Sequence, residues 1–174
     1  MKQRNLFVKV ALQAVIAAAI VTNVSAQIAD SRPQQGDMAV GINLVTGAGD
    51  HYINAGVGGM FRYYALAQLR GEGSFTYFLK KDSETLWDVS INAHYLLPAG
   101  GNVTVYPLAG ASILGSSKGR GVGDIFSASY AAINLGAGVD FSLTDNFFFN
   151  VEAKYKITDY WNRLLFSAGV IYKF

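Results

Sequence analysis

The chain has 174 residues and a formal charge of +2, but Lys2, Arg4 and Lys9 fall in its first nine residues. Setting those aside leaves eleven cations against twelve acids, so no basic footprint for nucleic acid remains. The absence of Cys excludes disulfides, thiolate metal sites and a lipidated Cys.

Lys2, Arg4 and Lys9 precede an apolar run, Val10 to Val21, interrupted only by Gln13. Small residues follow, ending in Val24-Ser25-Ala26. This order predicts a signal peptide over 1–26, cleaved after Ala26. The apolar run is about 12 residues, too short to span a bilayer as a helix. Residues 27–36 are polar and read as a short leader. The remainder, 37–174, suits one domain in length.

Eight segments with period-2 alternation follow, at about Asp37–Val45, Tyr52–Tyr63, Ala65–Phe78, Thr85–Leu97, Asn102–Leu114, Ser129–Leu143, Phe147–Ile157 and Leu164–Phe174. In the second, Ile53, Ala55, Val57, Phe61 and Tyr63 oppose Asn54, Gly56, Met60 and Arg62. In the seventh, Phe147, Phe149, Val151, Ala153, Tyr155 and Ile157 oppose Asn150, Glu152, Lys154 and Lys156. Such alternation makes a strand with one greasy and one wet face. The fifth segment is apolar on both faces; Val103, Val105, Ala109 and Ala111 are assigned outward. Tight connections are expected near Tyr64, at Pro98–Gly101 and at Thr144–Asn146, with longer ones between. The longest, Gly115 to Ala128, is rich in Gly and Ser.

A soluble calycin also alternates, but it turns its apolar face inward around a ligand. Here the aromatics of the apolar face gather near strand ends. Tyr63, Tyr95, Phe141, Phe147, Tyr172 and Phe174 mark one end; Phe75, Tyr77, Trp87, Tyr155 and Phe166 mark the other. Two aromatic girdles around an aliphatic band match two lipid–water interfaces. The expected fold is therefore all-β, an eight-stranded antiparallel up-and-down transmembrane barrel. With an even strand number both termini lie on the periplasmic side, and the longer loops face out. An outward Arg at Ile91 or Ala153 should destabilise the barrel, whereas inward Ser90→Ala or Asn150→Ala should cost far less.

The signal ending Val24-Ser25-Ala26, the turn Leu143-Thr144-Asp145-Asn146-Phe147-Phe148-Phe149 and the closing Val170-Ile171-Tyr172-Lys173-Phe174 carry a resemblance. The chain resembles the small bacterial outer-membrane β-barrels of the OmpA/OmpX type. The resemblance implies that Phe174, with Tyr172 and Val170, is the signal read by the barrel-insertion machinery. It implies a place in the bacterial outer membrane, among lipid and lipopolysaccharide. It leaves open an extracellular ligand bound through the loops, because this architecture hosts adhesins, anchors and enzymes alike.

Chemistry is sparse. His51 and His94 have no His or carboxylate at metal-ligand spacing in the sequence, and neither begins the His-x-Ser pair of the lipid A deacylase barrels. No catalytic residue, cofactor or metal is expected. The Gly-rich stretches at 56–59 and 119–123 do not join a strand to a helix, so they are not phosphate cradles. What remains is charge on the inward face. Arg70, Glu72, Glu152 and Lys154 are expected to form one network across the lumen, with Arg62, Asp88 and Asp140 nearby. Arg70 and Glu152 lie at comparable depth on facing strands, as do Glu72 and Lys154. An eight-stranded barrel is just wide enough for side chains to fill, and buried charges must be paired. The expected role is non-enzymatic, structural or surface-contact, with a filled lumen. The alternatives are a lipid-modifying outer-membrane enzyme or a narrow channel.

Overall fold

The computed structural model describes residues 33–49, 53–81, 84–117, 128–158 and 162–174. The signal region, Asp50, His51 and most of the loop after Gly115 lie outside these residues. The strands are β1 (Met38–Gly49), β2 (Ile53–Leu66), β3 (Leu69–Lys81), β4 (Glu84–Tyr95), β5 (Leu97–Gly100), β6 (Val103–Ser117), β7 (Ala128–Ser142), β8 (Phe147–Ile157) and β9 (Arg163–Lys173). All pairings are antiparallel; β1 pairs with both β2 and β9, and β4 pairs with β6, which closes the sheet.

β4 and β5 are one stave, so the barrel has eight. His94 lies opposite Leu108 and Leu97 opposite Val105, a single unbroken register. That register sets Pro107 against Tyr95, where proline has no N–H to donate. The Leu96 N–H instead reaches back 2.8 Å to the Gln68 carbonyl on the other side.

The β2–β3 hairpin differs from the sequence expectation. β2 does not turn near Tyr64; it runs on to Leu66, and Ala67-Gln68 makes the turn to Leu69. Tyr64 continues the inward parity of Arg62 and is buried. Between β5 and β6, Gly100 and Gly101 adopt φ of +100° and +55°, which explains glycine at both places. In the β7–β8 turn the Thr144 hydroxyl accepts from the Phe147 N–H at 3.1 Å, and the Asn146 side chain donates to the Lys173 carbonyl at 2.8 Å.

The apolar face is the outer one. Ile42, Leu44 and Ile91 are 70–72% exposed, while Arg62 and Arg70 are 0–1% exposed. This is the reverse of a calycin. The same alternation holds in β6, where Ala109, Ala111 and Ile113 face out and Tyr106, Leu108 and Ser112 face in. Trp87 has outward parity yet is buried, because it lies over Gly115, its partner across β4–β6. At the end that carries the termini, Phe147 meets Tyr172 at 5.0 Å between ring centroids, and Tyr172 meets Phe174 at 6.4 Å. Water around this outer face would be costly, and lipid removes that cost. Ile91→Arg and Ala153→Arg should each lower stability by about 2–4 kcal/mol if they sit at mid-membrane, measured by urea unfolding with lipid vesicles. Ile91→Leu should be near neutral.

Candidate functional site: the charged lumen

Every strand but β5 sends alternate side chains inward, and the charged ones come from β2–β4 on one side of the barrel and β7–β9 on the other. Arg62 on β2 and Glu72 on β3 are cross-strand partners, with Arg62 Nε 2.7 Å from Glu72 Oε2. Arg62 Nη1 also reaches Asp140 Oδ1 on β7 at 3.2 Å. Arg70 Nη1 lies 2.6 Å from Asp140 Oδ2, so one carboxylate bridges two guanidiniums. The rest of the Arg70 fork donates to His94 Nδ1, at 3.1 Å from Nε and 2.9 Å from Nη2, and Nη1 also meets the Tyr64 hydroxyl at 3.2 Å.

Tyr106 stands among these groups. Its ring stacks on His94 with centroids 4.6 Å apart, and the Arg70 guanidinium lies 4.6 Å from its centroid. Its hydroxyl donates to Glu152 Oε2 at 2.9 Å and accepts from Asn150 Nδ2 at 2.7 Å. Asn150 donates also to Asp140 Oδ1 at 2.7 Å. Glu152 Oε1 pairs with Lys154 Nζ at 2.9 Å. A second polar layer lies toward the loops. There Lys156 Nζ sits 2.6 Å from Asp88 Oδ2 and donates to Ser112, Ser90 and Asn134 at 2.8, 3.0 and 3.2 Å.

Apolar clusters flank the charged groups on both sides. Toward the termini lie Ala39, Met60, Leu96, Phe148 and Ile171; toward the loops lie Val45, Phe78 and Leu165, with the Arg163 guanidinium 4.7 Å from the centroid of the Phe78 ring. The charges therefore sit in a low-dielectric enclosure, where each needs its partner.

The residues named from sequence as a network, Arg70, Glu72, Glu152 and Lys154, all face this lumen and are all buried. Their partners differ from the expected ones. Arg70 pairs directly with Asp140 and Glu72 with Arg62, while Glu152 and Lys154 pair along their own strand; Glu72 and Lys154 remain within electrostatic reach of each other. Strand tilt displaces groups that share a depth when counted along the sequence, so cross-barrel pairs slide. Ser90 and Asn150, expected to be inexpensive fillers, hold charged partners: Ser90 bonds Asp88 and Lys156, and Asn150 bonds Asp140. The alternation of β6 does not single out Tyr106. The available signal is Gly138 opposite it, for an added Cβ there would meet the Tyr106 ring. Val170, Tyr172 and Phe174 all point outward. One geometry the sequence does not suggest is a triangle of Glu72, His94 and Glu152, whose ligating atoms lie within 4.8 Å of one another.

A closed eight-stave barrel with greasy exterior and charged interior is the pattern of the family described as outer membrane protein β-barrel domain, which matches residues 14–174. The chain belongs to this family. Solved outer-membrane proteins share the fold. The N-terminal barrel of Pseudomonas aeruginosa OprF aligns with TM-score 0.63 at 18% identity, covering 82% of this chain and 100% of that one. The attachment invasion locus protein Ail of Yersinia pestis aligns with TM-score 0.56 at 19% identity, covering 81% and 100%. Neisserial surface protein A aligns with TM-score 0.58 at 19% identity, covering 79% and 96%. No curated protein sequence is significantly similar to the chain. As a family member the protein is an outer-membrane β-barrel.

Proposed function

We propose that this outer-membrane barrel is a non-enzymatic envelope protein, exported through a signal peptide cleaved after Ala26, with its loops presented at the cell surface and its lumen filled for stability. The observation that carries this reading is the pairing of charges inside the lumen. Arg62, Arg70 and Lys154 are matched by Glu72, Asp140 and Glu152, Lys156 is matched by Asp88, and apolar clusters lie beyond both ends. An ion would have to break these pairs to pass. An enzyme acting on lipid would need its reactive groups at the outer interface. His94 is instead fully buried inside.

Ail has been solved with the heparin analogue sucrose octasulfate. That ligand class is not carried over to this chain. In the sequence, Lys80, Lys81, Lys118 and Arg120 stand against Asp50, Asp82, Glu84, Asp124 and Asp159, so the segments at and between these strand ends carry no excess of positive charge for a polyanion.

The test is planar-bilayer recording of the folded barrel, with the expected result no resolved conductance steps. Stable unitary currents would favour the narrow channel. Location is tested separately. The protein should fractionate with the outer membrane, migrate differently before and after boiling, and begin at Gln27. Deletion of Phe174 should slow assembly through the insertion machinery; unchanged kinetics would remove the terminal signal from this reading.

A further inference from the structure

The geometry points to a binding site for one water molecule between Glu72, His94 and Glu152, which joins the two halves of the charged lumen. It deepens the reading of the lumen as a filled, non-conducting interior.

His94 comes from β4, Glu72 from β3 and Glu152 from β8, so the triangle spans the barrel. All three are buried, and the ring nitrogen and the two carboxylate oxygens lie within 4.8 Å of one another. Atoms that close together can all be reached by one small polar group placed among them. Arg70 fixes the polarity of the ring. Two of its N–H groups point at Nδ1, so Nδ1 holds the lone pair and a ring hydrogen belongs on Nε2. Nε2 is buried and has no partner among the described residues. The site therefore offers one donor and two carboxylate acceptors. A water accepts one hydrogen bond from Nε2 and donates two, which matches the set, and buried waters characteristically make about three such bonds.

A divalent cation fits the spacing but not the polarity. A metal-bound histidine donates its other N–H to a carboxylate or carbonyl; here the other nitrogen receives from Arg70. The surrounding charges are already balanced, Arg62, Arg70 and Lys154 against Glu72, Asp140 and Glu152, so a dication would add uncompensated charge. With the water in place, hydrogen bonds run from Lys154 through Glu152 and the water to His94, Arg70 and Asp140.

The test is nitrogen-15 NMR of the histidine side chains in the folded, full barrel in lipid nanodiscs, with His51→Gln to assign the two rings. The expected spectrum places the hydrogen of His94 on Nε2 and shows a cross-peak between it and a long-lived water. Zinc or manganese, added alone, should leave the ring signals unmoved. A hydrogen on Nδ1, a missing water cross-peak, or a specific shift of Nε2 with zinc would each overturn the proposal, the last in favour of a metal site.

Discussion

Asp140→Ala is expected to lower unfolding stability by about 3–5 kcal/mol, as removal of one partner from a buried charge pair does. The reason is that this carboxylate serves three donors at once: Arg62 at 3.2 Å, Arg70 at 2.6 Å and Asn150 at 2.7 Å. Arg62 keeps Glu72 when Asp140 is lost. Arg70 keeps the neutral groups Tyr64, His94 and Tyr106, and its charge is left without a directly paired carboxylate in a fully buried position. Reversible urea unfolding in the presence of lipid vesicles measures the loss. A double-mutant cycle assigns it. Arg70→Ala with Asp140→Ala should cost less than the sum of the singles by roughly 0.5–3 kcal/mol, the range for groups in contact. Arg70→Ala with Glu152→Ala should come closer to additivity, because Arg70 pairs with Asp140 and Glu152 with Lys154. A cost under about 1 kcal/mol for Asp140→Ala would resemble an exposed pair. It would mean that water solvates the orphaned guanidinium, and the narrow channel would return as the better reading.

How much of this is readable in the sequence depends on the strand. In β8 the inward Asn150, Glu152, Lys154 and Lys156 alternate with aromatic and aliphatic residues, so parity, burial and fold class follow directly. In β6 the inward face carries Tyr106, Leu108 and Leu114, as apolar as the outward Val103 and Val105, and alternation has little contrast there. The reason is structural: the inner face of β6 supplies part of the apolar cluster near the termini. The Ala67-Gln68 turn escapes a sequence reading because it contains none of the residues that usually mark a two-residue hairpin. The charged residues are legible as a set because a charge on the inward parity of a narrow barrel has to find a partner inside it. Their individual partners are not legible, since pairing depends on tilt and stagger, which single-strand patterns do not encode. Tyr106 and Gly138 have meaning only as a pair across β6–β7, and that pairing appears only once the register is known.

Gly138→Val is expected to disable the lumen more severely than loss of the Tyr106 hydroxyl itself. An added Cβ at Gly138 would coincide with the ring and hydroxyl of Tyr106, so the ring must leave its place. The backbone of β7 is ordinary strand there; the requirement for glycine comes from the close approach of the ring. Overpacking alone costs about 1–3 kcal/mol. The displaced hydroxyl also costs Glu152 Oε2 one donor and Asn150 one acceptor, though Glu152 keeps Lys154 and Asn150 keeps Asp140, and each lost hydrogen bond adds about 0.5–1.5 kcal/mol. The shift removes the surface on which His94 and Arg70 stack. Tyr106→Phe keeps that surface and loses only the hydroxyl, so it should cost less. Tyr106→Leu empties the space that the added isopropyl group needs, so Gly138→Val should cost far less in a Tyr106→Leu background than in the native one. Urea unfolding of the four proteins of this cycle decides the matter. If Gly138→Val costs the same in both backgrounds, the clash with Tyr106 is not what the glycine prevents, and Tyr106 is not the residue around which the lumen is packed.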